Sequence, residues 1–264
     1  MSIPYSLQRA ASNMLEQQAV LQDTPALPTG NKPQLRRFDV MSLLPNGDIA
    51  ETRHIAPAMP LFENAFTAFS RGSMVETDHG PVAIEDLFPG DNILTTDGET
   101  MPLMWKGSTL VMPTREAAKG TDNQLTSLMP DSMGYHKPAS CVVVGASARL
   151  LCTPAHLRKD IVGGPLLTPV PMFHDGMNIV ETAPPTPVQM FHLMLPQHAV
   201  IRIAGLEFET FHPGTDALRH VSHAMRTLFL NLFSHIDTPT DFGPLAHPRA
   251  EGKDRGVDRE PFHV

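Results

Sequence analysis

AFTAFSRGSMVETDHGPVAIEDLFPGDNILTTDGE, from Ala65 to Glu99, breaks into short apolar runs separated by sharp turn signals. GSMVET precedes Asp78-His79-Gly80, PVAIEDL precedes Pro89-Gly90-Asp91, and NILTT precedes Asp97-Gly98. Glycine and proline at this spacing stop each run before a helix can close several turns, so the runs read as strands. MPLMWKGSTLVM follows as another strand-like segment. It carries Trp105, the only tryptophan, read as a core anchor because its large face favours burial.

Working outward, RFDVMSLLPNGDIAETRHIA predicts a hairpin around Pro45-Asn46-Gly47-Asp48, since Asn-Gly tolerates the positive φ of a tight turn. Before it, Leu7, Ala11, Met14 and Leu21 hold a helical stripe that predicts one short N-terminal helix, and Thr24 to Gln34 reads as a linker. Beyond the opening block, Pro113 to Ser140 is polar and turn-rich and reads as a long loop or insertion. Strand character returns in CVVVGASARLLCTPAH and PLLTPVPMF. A second hairpin is predicted in VQMFHLMLPQHAVIRIAGLEFET, where Val200, Arg202 and Ala204 alternate with Ile201 and Ile203.

TDALRHVSHAMRTLFLNLFSHI predicts an amphipathic helix from the spacing of Leu218, Val221, Met225, Leu228, Phe229, Leu232 and Ile236, capped by Thr215 or Asp216. The expected organisation is an extension with a hairpin over 1–60, a β-domain over 61–212, a helix over 213–237, and a partly disordered polar tail over 238–264. The fold class is all-β.

Composition narrows the function classes. A net charge of −8 with no basic cluster predicts neither nucleic-acid nor anionic-lipid binding, while a protein partner stays open. Twenty-six prolines and eighteen glycines favour short strands and turns. Cys141 and Cys152 are too few for a disulfide framework or a cysteine-type zinc site. His220 and His223 could share a helix face, but Arg219 and Arg226 flank them, so a solvated face is expected, with no metal and no cofactor. The N-terminus lacks the pattern of a cleavable signal and no apolar run approaches a membrane span, so a soluble cytoplasmic protein is expected, with leaderless export left open.

Three blocks then carry a resemblance. The first is FSRGSMVETDHGPVAIEDLFPGDNILTTDG with PLMWKGS after it; the second is LLCTPAH, with a Thr-x-x-His pattern at Thr153 and His156; the third is FHLMLPQHAVIRIAGLEFET. In order and spacing they resemble the Hint family, the shared fold of hedgehog autoprocessing domains and inteins, and are most similar to bacterial stand-alone Hint-domain proteins. The resemblance covers about residues 65 to 212 and implies a horseshoe of short strands and hairpins.

It also implies a chemistry. In active relatives the first residue of the domain, a Cys or Ser, attacks the carbonyl before it, while the Thr-x-x-His pair distorts and protonates that peptide by oriented hydrogen bonding and general acid catalysis. Here the nucleophile position falls on Ala68, which has no heteroatom. A residue can rearrange only the bond at its own amino side. Thr67 therefore stands one residue too early, and Ser70 is displaced from the pair. Ser73 fills a hydroxyl position whose ordinary job is a turn hydrogen bond. Cys152 is an alternative displaced nucleophile, although a half-buried strand cysteine is the commoner case.

Thr153 and His156 are either remnants of the pair or hydrogen-bonding supports of a buried loop. His198 matches a family position and reads as structural, and Arg149 stands where relatives often carry an acid. The chain offers no His-Asn end followed by a nucleophile, so splicing is not expected. The leading expectation is a degenerate domain that binds or supports. The alternatives are an autoprocessor using Ser70, Ser73 or Cys152, and a secreted or phage-associated maturation module that has lost its cargo.

Overall fold

The computed structural model describes residues 34–112, 125–154, 164–183 and 186–250. The N-terminal helix expected before Leu27 lies outside them. The described chain from Leu35 onward is built almost entirely from strands, in two antiparallel sheets. The fold is all-β.

The first strands, β1 (Leu35–Leu43) and β2 (Ile49–Pro57), form the hairpin turned at Asn46-Gly47. One helical turn, α1 (Pro60–Glu63), starts on a proline whose missing N–H costs nothing at that position. Its Glu63 is buried and pairs with Arg36 at 3.0 Å. The opening block then delivers β3 (Phe69–Ser70), β4 (Met74–Thr77), β5 (Gly80–Ala83) and β6 (Asn92–Leu94). MPLMWKGSTLVM divides into β7 (Thr100–Pro102) and β8 (Trp105–Val111).

The region expected as a loop after Pro113 contains a fully buried strand, β9 (Leu125–Leu128). Its polar sequence, LTSL, hid it: Thr126 and Ser127 are buried beside leucines, and the Thr126 hydroxyl meets the His174 ring at 2.9 Å. After it come β10 (Val142–Gly145), β11 (Arg149–Leu151), β12 (Leu167–Pro169) and β13 (Ile179–Thr182). The last strands are β14 (Val188–Met194), β15 (Val200–Ile203) and β16 (Leu206–Glu209).

One sheet runs β13-β9-β10-β3-β14-β8-β1-β2, and the other runs β12-β11-β16-β15-β4-β6-β7 with β5 beside β4. The segment 188–209 is thus not one hairpin. β14 pairs with β3 and β8 in the first sheet, while β15 and β16 turn at Ala204-Gly205 in the second. Alternation within each piece reports burial, and only the pairing partner tells the two sheets apart.

Two cores result. The larger gathers Ala68, Phe69, Val75, Ile93, Leu150, Ile201 and Phe208. The second is aromatic and surrounds Trp105, as expected of a core anchor; its indole ring lies 5.3 Å from Phe66 and 4.8 Å from Phe233, and Nε1 donates to Leu232 O at 2.7 Å. Phe38 from β1 and Phe62 from α1 enter this core from one end of the chain, and Phe229, Phe233, Ile236 and Phe242 from the other. Segments on both sides of the opening and closing blocks therefore complete one hydrophobic unit.

The C-terminal helix is shorter than its stripe predicted. Helix α2 spans His223–Leu230, and its cap is Ser222, whose Oγ accepts from Met225 N at 3.3 Å, rather than Thr215 or Asp216. Leu218, Phe229, Leu232 and Ile236 are all buried, so the stripe is real as a record of contact with the aromatic core. It is met by turns on either side of α2, because tertiary packing rather than propensity dictates the path. Residues 238–250, expected within a polar tail, fold back: Thr238 and Asp241 form a capping box, Phe242 enters the core, and Ala250 N donates to Leu167 O at 3.0 Å.

Candidate functional site

The Thr67–Ala68 peptide lies where the chain enters β3, and the ladder grips it. Ala68 N donates to Phe191 O at 3.1 Å, and Gly145 N donates to Ala68 O at 2.9 Å. Ala68 is fully buried. Its carbonyl neighbour, Thr67 O, sits so near Gly145 that a Cβ there would stand only 1.8 Å away. The Thr67 hydroxyl donates to Glu63 O at 2.9 Å and lies 3.4 Å from Ser147 Oγ.

A cavity of about 290 Å³ is lined by this same Ser147 and by Arg149, His192, Glu209, His212 and Arg249 among its polar residues. Its apolar side is formed by Pro60, Leu61, Phe211 and Ala217. Glu209, almost wholly buried at the end of β16, organises the polar side. Its Oε1 lies 3.3 Å from Arg149 Nε, and its Oε2 lies 3.1 Å from Arg249 Nε and 3.3 Å from His198 Nε2. A bound carboxylate ringed by three donors is well satisfied, which is the condition for burying it.

The histidines share one pattern. Nδ1 accepts a backbone N–H in each: from Leu193 at 3.1 Å for His192, from Ala246 at 2.9 Å for His198, and from Gly214 at 2.9 Å for His212. In each ring Nε2 is left to donate. His198 donates to Glu209, and His212 donates to Gly243 O at 3.0 Å. His192 Nε2 finds no partner among the described residues, although the ring is 3% exposed and lines the cavity. Burial pushes the His192 pKa down to about 3, with Arg249 adding to the effect. Burial likewise lowers His212 to about 4, against the opposing hydrogen bond to Gly243.

A sequence model described as the Hint domain matches residues 67–215, more than half of the chain. The chain belongs to the Hint-domain family. Among solved structures, a bacterial intein-like domain from Clostridium thermocellum is similar at 12% identity and a TM-score of 0.38, covering 55% of this chain and 98% of that one. The MchDnaB-1 intein is similar at 16% identity and a TM-score of 0.34, covering 55% and 100% respectively. No curated protein sequence matches the chain.

In this Hint domain the expected site residues are distributed as follows. Ala68 stands at the mouth of the ladder just described. Ser70 is in β3, opposite Met190, and Ser73 is buried. The Ser73 hydroxyl, expected to serve a turn, has no hydrogen-bond partner among the described residues. The local turn is closed by backbone instead, Ser73 N to Ser70 O and Ile84 N to Ser73 O, leaving the side chain nothing to cap. Thr153 Oγ1 accepts from Leu166 N at 3.1 Å and so ties β11 to the approach to β12, and His156 lies outside the described residues. Cys152 is half-buried against the larger core.

His198, read as structural, is buried, with Nε2 3.3 Å from Glu209 Oε2. Sequence reasoning missed His192, Glu209 and Arg249 as a group. Their separations in the chain are large, and Glu209 sits in LEFE, where Glu207 repeats the same pattern, so no local signal singles it out. Among the described residues no three His, Cys, Asp or Glu side chains could share a metal ion, and His220 and His223 are exposed, His220 preceding α2. No helix among them is long and apolar enough to cross a membrane.

Proposed function

We infer that this Hint domain does not cleave its own backbone and acts by binding, with the cavity lined by Ser147, Arg149, His192, Glu209 and Arg249 as its working surface. The observation that carries this reading is the side chain at the acyl-shift position: the methyl of Ala68, buried in the larger core. A carbon side chain has no lone pair with which to attack the Thr67 carbonyl, and the loss of a nucleophile removes on the order of a million-fold from a catalysed acyl transfer in the best-studied hydrolase. Thr153 serves the β11–β12 connection in this reading, and His156 is its companion from the family pattern.

Intact mass of the freshly purified chain, with and without hydroxylamine or thiol, tests it. A single species of the full 28.9 kDa is expected under every condition. Fragments breaking at Thr67–Ala68 that appear with the added nucleophile would sink the reading. One observation favours a second reading, the unpartnered buried hydroxyl of Ser73. That residue could act only on the Gly72–Ser73 bond, so the same spectra would identify it by a break five residues later.

Ala68→Cys probes the frame separately. If Thr153 and His156 still face position 68, thiol-induced cleavage returns in part. An inert, folded Ala68→Cys variant would show that the pocket has drifted as well as lost its attacking atom.

A further inference from the structure

The cavity's charge does not balance. Two guanidinium groups, Arg149 and Arg249, face one carboxylate, Glu209, while the two histidine rings that line the cavity, His192 and His212, accept backbone N–H groups on Nδ1 and are held uncharged by burial. Both Glu209 oxygens are already occupied by Arg149, Arg249 and His198, so neutralisation stops at one of the two positive charges. Glu209 is the one acid among the residues that line the cavity. Two donors are left over. Arg149 Nη1 is buried with no partner among the described residues, and the Arg149 side chain remains 28% exposed. The His192 Nε2–H, on a ring that is 3% exposed, has none either.

A residual positive charge in a low-dielectric recess, with hydrogen-bond donors unspent, is costly unless an anion completes it. The charge to be matched is one, and Glu209 stands close enough to repel a dianion. A planar guanidinium edge suits a carboxylate. Leu61, Phe211 and Ala217 line the same cavity and offer apolar contact. A volume of about 290 Å³ lies at the small end of ligand sites.

We propose that this cavity binds a single carboxylate carried on a small apolar group, with the anion held by Arg149, Arg249 and His192 and the apolar group against Leu61, Phe211 and Ala217. The proposal rests on the binding role inferred above. The same chemistry has two sources, a free small organic acid and the C-terminal carboxylate of a peptide.

Calorimetric titration of the full chain at constant ionic strength separates these. Butyrate is the first probe, and butyramide, of equal shape without charge, is its control. Acetyl-Ala-Leu with a free carboxylate, against its amide, tests the peptide source. At least one of the two acids should bind about tenfold more tightly than its amide, the discrimination expected of a charge-assisted hydrogen bond. The tighter acid names the source. Arg149→Gln should weaken that acid at least tenfold.

Because Arg149→Gln removes a partner of Glu209 and could fail to fold, Ala217→Phe provides a second arm. It fills the apolar side, leaves both guanidinium groups in place, and should weaken binding by a similar factor. Acids and amides binding alike, no binding by any probe, or parental affinity in Ala217→Phe would each overturn the proposal. Absence of binding with an unbroken intact mass overturns the carboxylate site alone. Fragments at Thr67–Ala68 overturn the loss of cleavage alone.

Discussion

Gly145→Ala is the substitution on which the geometry of the Thr67–Ala68 peptide can be tested most directly. Gly145 does not have a positive φ, so an alanine is acceptable to its own backbone and the clash alone decides the outcome. A Cβ at this position would stand 1.8 Å from Thr67 O and 3.0 Å from Thr67 C, against 3.4 Å for the shortest ordinary contact. The shortfall at the oxygen is 1.6 Å. The atom in the way is backbone, so no rotamer change relieves it.

Moving the peptide that far breaks both hydrogen bonds that hold Ala68, from Gly145 N to Ala68 O and from Ala68 N to Phe191 O. Each of the two bonds left unmade costs about 1–3 kcal/mol, so Gly145→Ala should destabilise the domain by about 2–6 kcal/mol. That is a large share of the roughly 5–15 kcal/mol by which a folded domain exceeds its unfolded state. Urea denaturation followed by Trp105 fluorescence measures it, with Ser147→Ala as control. The Ser147 hydroxyl makes only one long contact, at 3.4 Å, and its loss should cost less than about 1 kcal/mol. A Gly145→Ala variant within about 0.5 kcal/mol of the parent would falsify the claim that β10 pins this peptide.

Other expectations follow from the same structure. Trp105→Phe strands the buried carbonyl of Leu232 and thins the aromatic core, so it should cost about 2–4 kcal/mol in chemical denaturation. A chain ended at Thr215 retains the Hint-matched segment but loses Phe229, Phe233 and Phe242; Trp105 emission should shift to the red, and an unshifted spectrum would mean those rings are dispensable. The buried histidines set a pH dependence. Their folded pKa values, about 3 for His192 and about 4 for His212, lie below the ordinary 6.5, so the unfolded chain takes up protons first and stability falls as pH drops through 6.5 toward those values. Between pH 6 and pH 5 the pair should remove about 2 kcal/mol, and His192→Phe should remove about half of that slope; equal slopes in parent and variant would contradict it.

Strand breaks around Asp78-His79-Gly80, Pro89-Gly90-Asp91 and Asp97-Gly98 were legible because glycine and proline act locally on the backbone. The Asn46-Gly47 hairpin was legible for the same reason. So was the alanine at position 68, since the identity of a side chain needs no coordinates. β9 was not legible: Thr126 and Ser127 look solvated until β10 and β13 close on either side of them. The helix stripe from Leu218 to Ile236 recorded burial correctly and misreported length, because a periodic contact with Trp105 and its neighbours is met by turns as well as by α2.

Local chemistry, then, determined the all-β class, the turns, the family and the alanine at position 68. Tertiary structure alone decided that residues as distant as Arg149, His192, Glu209 and Arg249 meet around one cavity, and that both flanks of the chain close over Trp105. The physical reason is range. Backbone preferences act between neighbours, whereas charge balance and packing depend on which surfaces the sheets bring within a few ångströms.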